Sequence, residues 1–228
     1  MGEFLSYSLS DFLLFSQATY FRQFALINEK TFPLAIVLAA LALAIAIFAG
    51  GNRWNGRVIS IRLAFLWAAS AWLFHYESYA DINWAADWFA VGFGMQALAL
   101  VAWGMLGEFH APEPTRRARI IRTLAVLVVL LYPLQAALFG RPWREAEIVG
   151  ISPDATAVFT IVIVALTAGR MRYALAALPL LWIVIGLLSL WTMHAPEFWT
   201  LAALLAASLI ALSASADRER QSARAPAD

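Results

Sequence analysis

The feature that most constrains this chain is a series of apolar segments, each close to the length that crosses a lipid bilayer. A helix needs about 20 mostly apolar residues to cross about 30 Å of hydrocarbon. Seven segments are candidates: Thr31–Gly50, Val58–Tyr76, Asp87–Gly107, Ile121–Phe139, Ala155–Ala168, Tyr173–Thr192 and Glu197–Ser213. The fifth and seventh are short. The fifth is either a crossing that gains length from residues 148–151 or a re-entrant segment, which would leave six crossings.

The composition supports a membrane protein. Of the 228 residues, 62% are hydrophobic and 14% are charged, whereas soluble domains are roughly 45–50% apolar and about 25% charged. These values exclude a soluble globular protein, a disordered chain and a nucleic-acid-binding protein, so the expected partner is the lipid bilayer. The chain has no cysteine, which excludes disulfides, thiolate metal sites and thiol catalysis. The single lysine, Lys30, lies outside the apolar segments, which excludes a retinal Schiff base inside the bundle.

The distribution of basic residues predicts the orientation, because Lys and Arg accumulate on cytoplasmic loops. With seven crossings, one side receives three arginines at residues 51–62, four at 108–122, two at 169–172 and three in the C-terminal tail. The other side receives four basic residues. We therefore predict a multi-pass protein of the plasma (inner) membrane, with its N-terminus outside and its C-terminus in the cytoplasm.

These features predict an all-α fold in three parts. Residues 1–30 carry Glu3 and Asp11 where a signal peptide would be basic, and their mixture of aromatic and polar side chains predicts an amphipathic helix at the outer interface. Residues 31–213 form the predicted bundle of seven transmembrane helices. Residues 214–228 are rich in charged and small side chains and are predicted to be a disordered cytoplasmic tail.

The predicted crossings contain few polar groups at their centres. Gln96 lies near the middle of the third, where we expect it to form a hydrogen bond across a helix interface. No Asp, Glu, Lys or Arg falls in the middle of a predicted crossing, which argues against a proton pump, a voltage sensor or a carboxylate-coupled antiporter. The run Ser152-Pro153-Asp154 predicts the N-cap and first turn of the fifth helix, with no functional role.

Polar side chains gather at the predicted outer ends of the helices. The candidate ligand-binding residues there are His75, Glu77, Asp81, Asn83, Asp87 and His194. Histidine and carboxylate groups suit zinc or another divalent cation, and histidine also transfers protons near neutral pH. However, the spacing matches no metal-binding motif, and ordinary interfacial loops have the same composition. We therefore assign neither a metal nor a cofactor.

Local patterns along most of residues 12–210 together resemble one family. In chain order, they are Phe24, Asn28 and Pro33; His75 with Ile82-Asn83-Trp84-Ala85-Ala86; Tyr132-Pro133 with Gly140; Pro153 with Phe159-Thr160; and Leu178-Pro179 with Trp182 and Gly186. Their order is similar to that of an uncharacterised family of bacterial multi-pass membrane proteins, domain of unknown function 6064. The resemblance implies seven crossings and brings no activity with it. Members of the family often carry Cys-Pro where this chain has Ser152-Pro153, so no thiol chemistry carries over to this position.

Two functions are consistent with these observations. The first is the binding or transport of a small polar solute or cation at an outward-facing site, formed by the ends of crossings two, three, five and seven. The alternative is an accessory or assembly subunit of a larger membrane complex, for which the tryptophan-rich outer rim would be a docking surface. An intramembrane enzyme ranks last, because Ser70 and Ser189 have no base next to them in sequence, and no catalytic residue is assigned.

Overall fold

The computed structural model describes residues 15–49, 53–106, 115–167 and 169–222, with side chains described except at 53–55 and 214–222. Within these ranges the chain is helical, with no β-strand. The helices are α1 (Gln17–Lys30), α2 (Phe32–Phe48), α3 (Arg53–Ser70), α4 (Ala86–Leu106), α5 (Arg116–Leu131), α6 (Gln135–Leu138), α7 (Pro153–Val164), α8 (Met171–Thr192) and α9 (Glu197–Ser222). A π-helical turn, Ala71–Tyr76, continues α3, and short 3-10 turns lie at Tyr79–Asp81, Tyr132–Leu134 and Trp143–Glu145.

Four helical segments are long and apolar enough to cross a membrane. They are Gly56–Asp81, Ala86–Leu106, Arg116–Leu138 and Met171–Thr192. The helices α1 and α2 meet at a bend of 100° and give a fifth such segment if they are counted as one. Two further apolar helices, Pro153–Val164 and Glu197–Ser213, are shorter. The all-helical class predicted from the sequence is confirmed, together with apolar helices of membrane-spanning length.

Contacts between helix ends define two ends of the bundle. At one, Arg117 at the start of α5 donates hydrogen bonds to the carbonyls of Ala165, after α7, and Ala211, in α9. We call this the arginine-rich end. At the other, Lys30 at the end of α1 forms an ion pair of 2.7 Å with Glu77, beyond α3. We call this the α1 end. Successive long helices therefore run in alternate directions.

Helix α7 is the centre of the bundle, because all of its 12 residues are buried. It packs against α3, α5, α8 and α9. At 1.5 Å per residue it is about 18 Å long, well short of the roughly 30 Å of a hydrocarbon core. The chain reaches it through the non-helical segment 146–152, which is also buried apart from the partly exposed Ile148. Non-helical backbone at such depth is tolerated only where protein surrounds it.

Specific contacts satisfy the backbone of this segment. The Gly150 amide donates to Thr156 Oγ1 at 2.8 Å, and the Ile151 carbonyl accepts from Ser70 Oγ at 3.1 Å. Gly150 has φ of +93°, and a Cβ at this position would lie 2.8 Å from a methyl of Leu66. Both the backbone conformation and the lack of space therefore require glycine here.

The helix α1 covers one end of the bundle. Ser16 caps it by accepting from the Thr19 amide, and its apolar face buries Tyr20, Phe21 and Phe24 among the other helices. Asn28 ties its last turn to the segment before α7, because Nδ2 donates to the carbonyls of residues 144 and 146, both at 2.8 Å. Residues 1–14 of the predicted interfacial segment lie outside the described part of the chain.

The last helix differs from the sequence prediction. Helix α9 continues to Ser222, nine residues past the predicted end of the seventh crossing, in a segment that we predicted to be disordered. Residues 214–222 contain two Ala, two Arg, one Glu and one Gln, which are good helix formers, so the helix extends without needing an apolar face. Residues 223–228 lie outside the described part of the chain.

Candidate functional site

A buried ionic cluster lies beneath α1. The Arg141 guanidinium bonds to Glu147 Oε2 at 3.0 Å and to Glu197 Oε1 at 2.9 Å. It also donates to the carbonyl of Glu145 and lies 3.5 Å from the ring centre of Phe21 in α1. The two carboxylates are 4% and 3% exposed. One arginine thus serves two buried carboxylates, and the cluster is one positive charge short of neutrality.

The pKa of Glu147 reflects its place in this cluster. Burial raises the pKa of its carboxyl from its usual value of 4.5 to about 8, Arg141 opposes that rise, and the nearby charge of Asp154 adds to it. The carboxyl therefore takes up a proton near neutral pH, which leaves Arg141 and Glu197 as a balanced pair. Protonation is the usual response of a buried carboxylate that lacks its own cation.

Asp154 lies deeper in the bundle, in the first turn of α7. It is 1% exposed, and its Oδ1 accepts a hydrogen bond of 2.8 Å from Nε1 of Trp182. Trp182 is in the middle of α8 (Met171–Thr192), so this carboxyl is far from either end of that helix. Within the described residues, no basic side chain forms an ion pair with it. A carboxyl in this environment requires a proton or a cation.

His75 contacts the same tryptophan. It is fully buried, and neither ring nitrogen has a hydrogen-bond partner within the described structure. Its ring centre lies 4.4 Å from that of Phe93, 4.8 Å from that of Trp182 and 5.2 Å from that of Phe74. Leaving buried polar atoms unpaired costs free energy, so an imidazole kept here is a candidate for a functional group.

The local backbone explains how His75 reaches this position. The residue belongs to the π-helical turn Ala71–Tyr76 that ends α3. A π-helical turn has a wider hydrogen-bonding pattern than an α-helix and rotates the residues that follow it, and such turns are frequent at functional sites. The side chain therefore faces Trp182 and Phe93 in the interior rather than the end of the bundle. We call His75, Trp182 and Asp154 the buried triad.

Two predicted site residues lie at the surface beside α1 instead. Glu77 accepts from Lys30 Nζ at 2.7 Å and from Trp72 Nε1 at 2.8 Å. Asp81 is exposed and lines a cleft of about 180 Å³ that Lys30 and Glu77 also line. These contacts neutralise Glu77, whereas Asp81 forms no ion pair within the described part of the chain.

The other three predicted residues are separate from this cleft. Asn83 accepts from the amide of Ala85 and so stabilises a turn. Asp87 is exposed at the start of α4, and His194 is exposed in the turn before α9, with φ of +53°. Within the described residues, no three His, Asp or Glu side chains are arranged to hold a metal ion. The structure thus places Glu77 and Asp81 at one cleft and His75 in the interior, and the other three residues are not among those that line the cleft.

Asp154 lies just before the fifth predicted crossing, so the statement about the middles of the crossings does not cover it, and the structure buries it against the middle of α8. That residue was interpreted as part of a helix start, and Ser152 does cap α7 by accepting from the Ala155 amide. Residues 155–164 carry no charged side chain, which places the helix in a protein core or in lipid. This pattern does not decide whether the first-turn acid is buried against another helix. The expected bond of Gln96 is confirmed, since Nε2 donates to the Leu175 carbonyl at 2.9 Å.

The chain matches the model of a known family. The model of a family described as "Family of unknown function (DUF6064)" matches residues 17–224, which include the buried triad and the ionic cluster. No curated protein and no solved structure matches the chain.

Proposed function

The chain belongs to the DUF6064 family of proteins of unknown function, and we propose a function for it from its own geometry. It is a membrane protein that binds a small cation at the buried triad and admits that cation from the outer face. The observation that carries the proposal is Asp154, a buried carboxyl with a neutral hydrogen-bond donor and no paired cation in the described structure. Ionisable groups inside a membrane bundle mark ion or substrate pathways.

The chemistry of the triad favours a cation over a neutral solute. Asp154 supplies a negative charge, and His75 supplies a ring nitrogen with no other partner in the described structure. The faces of Trp182 and Phe93 add aromatic surfaces, which attract cations. A proton, a monovalent metal ion and a small organic cation share this chemistry, and the experiment below separates them.

The ionic cluster supports entry from the α1 end. Glu147 and Asp154 are close enough for the charge of one to act on the other, so a cation that passes Glu147 moves between two carboxyls. We expect the path of the cation to lie beneath α1, which contacts the cluster through Phe21. Asp81 and the cleft of about 180 Å³ lie at the edge of this helix. We expect cations to enter between α1 and the segment 139–152.

The proposed topology has seven crossings, with the α1 end outside and the arginine-rich end in the cytoplasm. Alternating helix directions and the arginine distribution support it. The chain lacks cysteine, so Trp84→Cys and Arg170→Cys, both at exposed positions, give single labelling sites without background. We expect an impermeant thiol reagent to label Trp84→Cys in intact cells and Arg170→Cys only after lysis. The reverse pattern would overturn the orientation, and labelling of both would overturn the topology.

Cation binding is tested on the purified full chain. We expect its thermal midpoint to rise with Na⁺, K⁺ or a small organic cation. If the ligand is a proton, we expect the midpoint to change with pH in a Glu147→Gln background, which removes the other buried carboxyl that titrates in this range. Asp154→Asn preserves the acceptor for Trp182 and removes the charge, so it should abolish the response. Asp87→Asn is the matched control, because it removes an exposed carboxylate. If Asp154→Asn responds like the wild type, the proposal is wrong.

A second candidate function is that of a subunit in a larger membrane complex. A groove of about 450 Å³ between α3 and α4 faces outward and is lined by small residues that include Ala68, Ala71, Ala90 and Gly94. Small side chains let another helix approach closely in a membrane. Native mass spectrometry after mild extraction should then show a stoichiometric protein partner, and a bare monomer would contradict this function.

A further inference from the structure

A second groove lies at the arginine-rich end, remote from the buried triad. Helices α5 and α9 both pack against α7, and between them remains a groove of about 620 Å³. Its lining residues are apolar except for Arg117, Arg119 and Thr123. The residues that matter here are Arg117, Arg119, Ile120, Leu127, Ala207 and Ile210.

The two arginines have different roles. Arg117 donates from Nη2 to the carbonyls of Ala165 and Ala211, which joins α5 to α9 and sets the width of the groove. Arg119 is exposed, and no carboxylate in the described structure forms an ion pair with it. The groove therefore has an available positive charge at its mouth.

The walls of the groove suit hydrocarbon. Ile120 is 58% exposed and Ile210 is 68% exposed. Both are large apolar side chains, and they flank the same groove. Toward the middle of the bundle Leu127 continues the same surface. The groove is apolar and has a cationic mouth at a membrane surface. A matching ligand therefore has a hydrocarbon chain and an anionic head.

We propose that the groove between α5 and α9 binds an anionic phospholipid, with one acyl chain between the helices and the phosphate at Arg119. Basic pockets between transmembrane helices recognise anionic headgroups in this way. The inference depends on insertion of the helices in a bilayer and is independent of cation binding at the triad.

The test uses the full chain in mild detergent, stripped of lipid by detergent exchange. Native mass spectrometry and thermal stability are followed during titration with phosphatidylglycerol, and with phosphatidylcholine of the same acyl chains. We expect one phosphatidylglycerol per chain and a raised thermal midpoint, with weaker binding of phosphatidylcholine. Arg119→Gln should weaken phosphatidylglycerol binding about fivefold, the contribution of one basic residue near a charged lipid. Arg116→Gln is the control, an exposed arginine of the same turn that is not among the lining residues.

Two further arms separate the headgroup from the chain. Ala207→Phe places a ring in the groove and should weaken phosphatidylglycerol binding while the lipid-free protein keeps its thermal midpoint. Glycerol phosphate alone should not stabilise the protein. Equal losses in Arg116→Gln and Arg119→Gln would reduce the effect to general surface attraction and overturn the proposal. Full binding by Arg119→Gln, or stabilisation by glycerol phosphate equal to that by the lipid, would overturn it as well.

Discussion

The substitution Gly186→Ala tests how tightly Asp154 is held. A Cβ at position 186 would lie 2.5 Å from Asp154 Oδ1, 3.1 Å from its Cγ and 3.2 Å from its Oδ2. Both residues are buried, so the carboxyl has no solvent to move into. The added methyl therefore has to displace the carboxyl from Nε1 of Trp182, which bonds it at 2.8 Å.

The expected cost follows from three contributions. Overpacking a buried site costs about 1–3 kcal/mol, and loss of a hydrogen bond to a carboxylate costs about 1.5–3 kcal/mol. Replacing glycine by alanine inside a helix returns about 1 kcal/mol. We expect Gly186→Ala to lower the free energy of unfolding by about 1.5–5 kcal/mol.

The assay is reversible unfolding in mixed micelles, with Gly94→Ala as the matched control. Gly94 also lies inside a long apolar helix, and a Cβ there meets nothing within 4 Å, so this variant should be unchanged or more stable by up to about 1 kcal/mol. Repeating Gly186→Ala in an Asp154→Ala background should remove most of the cost, because the obstructing carboxyl is gone. Equal costs for the two glycine variants, or an unchanged cost in that background, would refute the reasoning.

Three further predictions concern the ionic cluster and the buried imidazole. Below pH 4.5 Glu147 holds its proton in both the folded and the unfolded chain, and as the pH rises toward 8 the unfolded chain loses that proton first. The free energy of unfolding should therefore fall across this range. Glu147→Gln should flatten that fall when unfolding is measured against pH. Arg141→Gln leaves two buried carboxylates without their cation and should lower the free energy of unfolding by about 3–5 kcal/mol in the same assay. The control Arg144→Gln breaks an exposed ion pair of 3.5 Å and should lower it by less than about 1 kcal/mol. His75→Phe should keep or raise the thermal midpoint, because it removes unpaired polar atoms from an aromatic enclosure, and a loss of cation response in this variant would separate ligand binding from stability.

The helical class was predictable because it depends on segment length and composition, which the sequence states directly. The cap at Ser152 and the interhelical bond of Gln96 were predictable for a similar reason, since each depends on a residue type at a recognisable position. The buried triad was not, because it depends on which helices become neighbours. His75 and Trp182 are 107 positions apart, and the rotation of His75 inward comes from a π-helical turn that no simple periodicity reveals. The arginine shared by Glu147 and Glu197 likewise appears only when the start of α9 packs beside the segment before α7.

The buried segment 146–152 constrains how the protein is made. A translocating chain inserts helices that are stable in lipid on their own, and this segment exposes backbone polar groups that lipid cannot satisfy. Its backbone accepts a hydrogen bond from Ser70, and the helix α7 that follows it packs against α8 and α9, which emerge later during synthesis. The centre of the protein is therefore assembled last. A chain that stops before α8 therefore lacks the helices that complete the surroundings of α7.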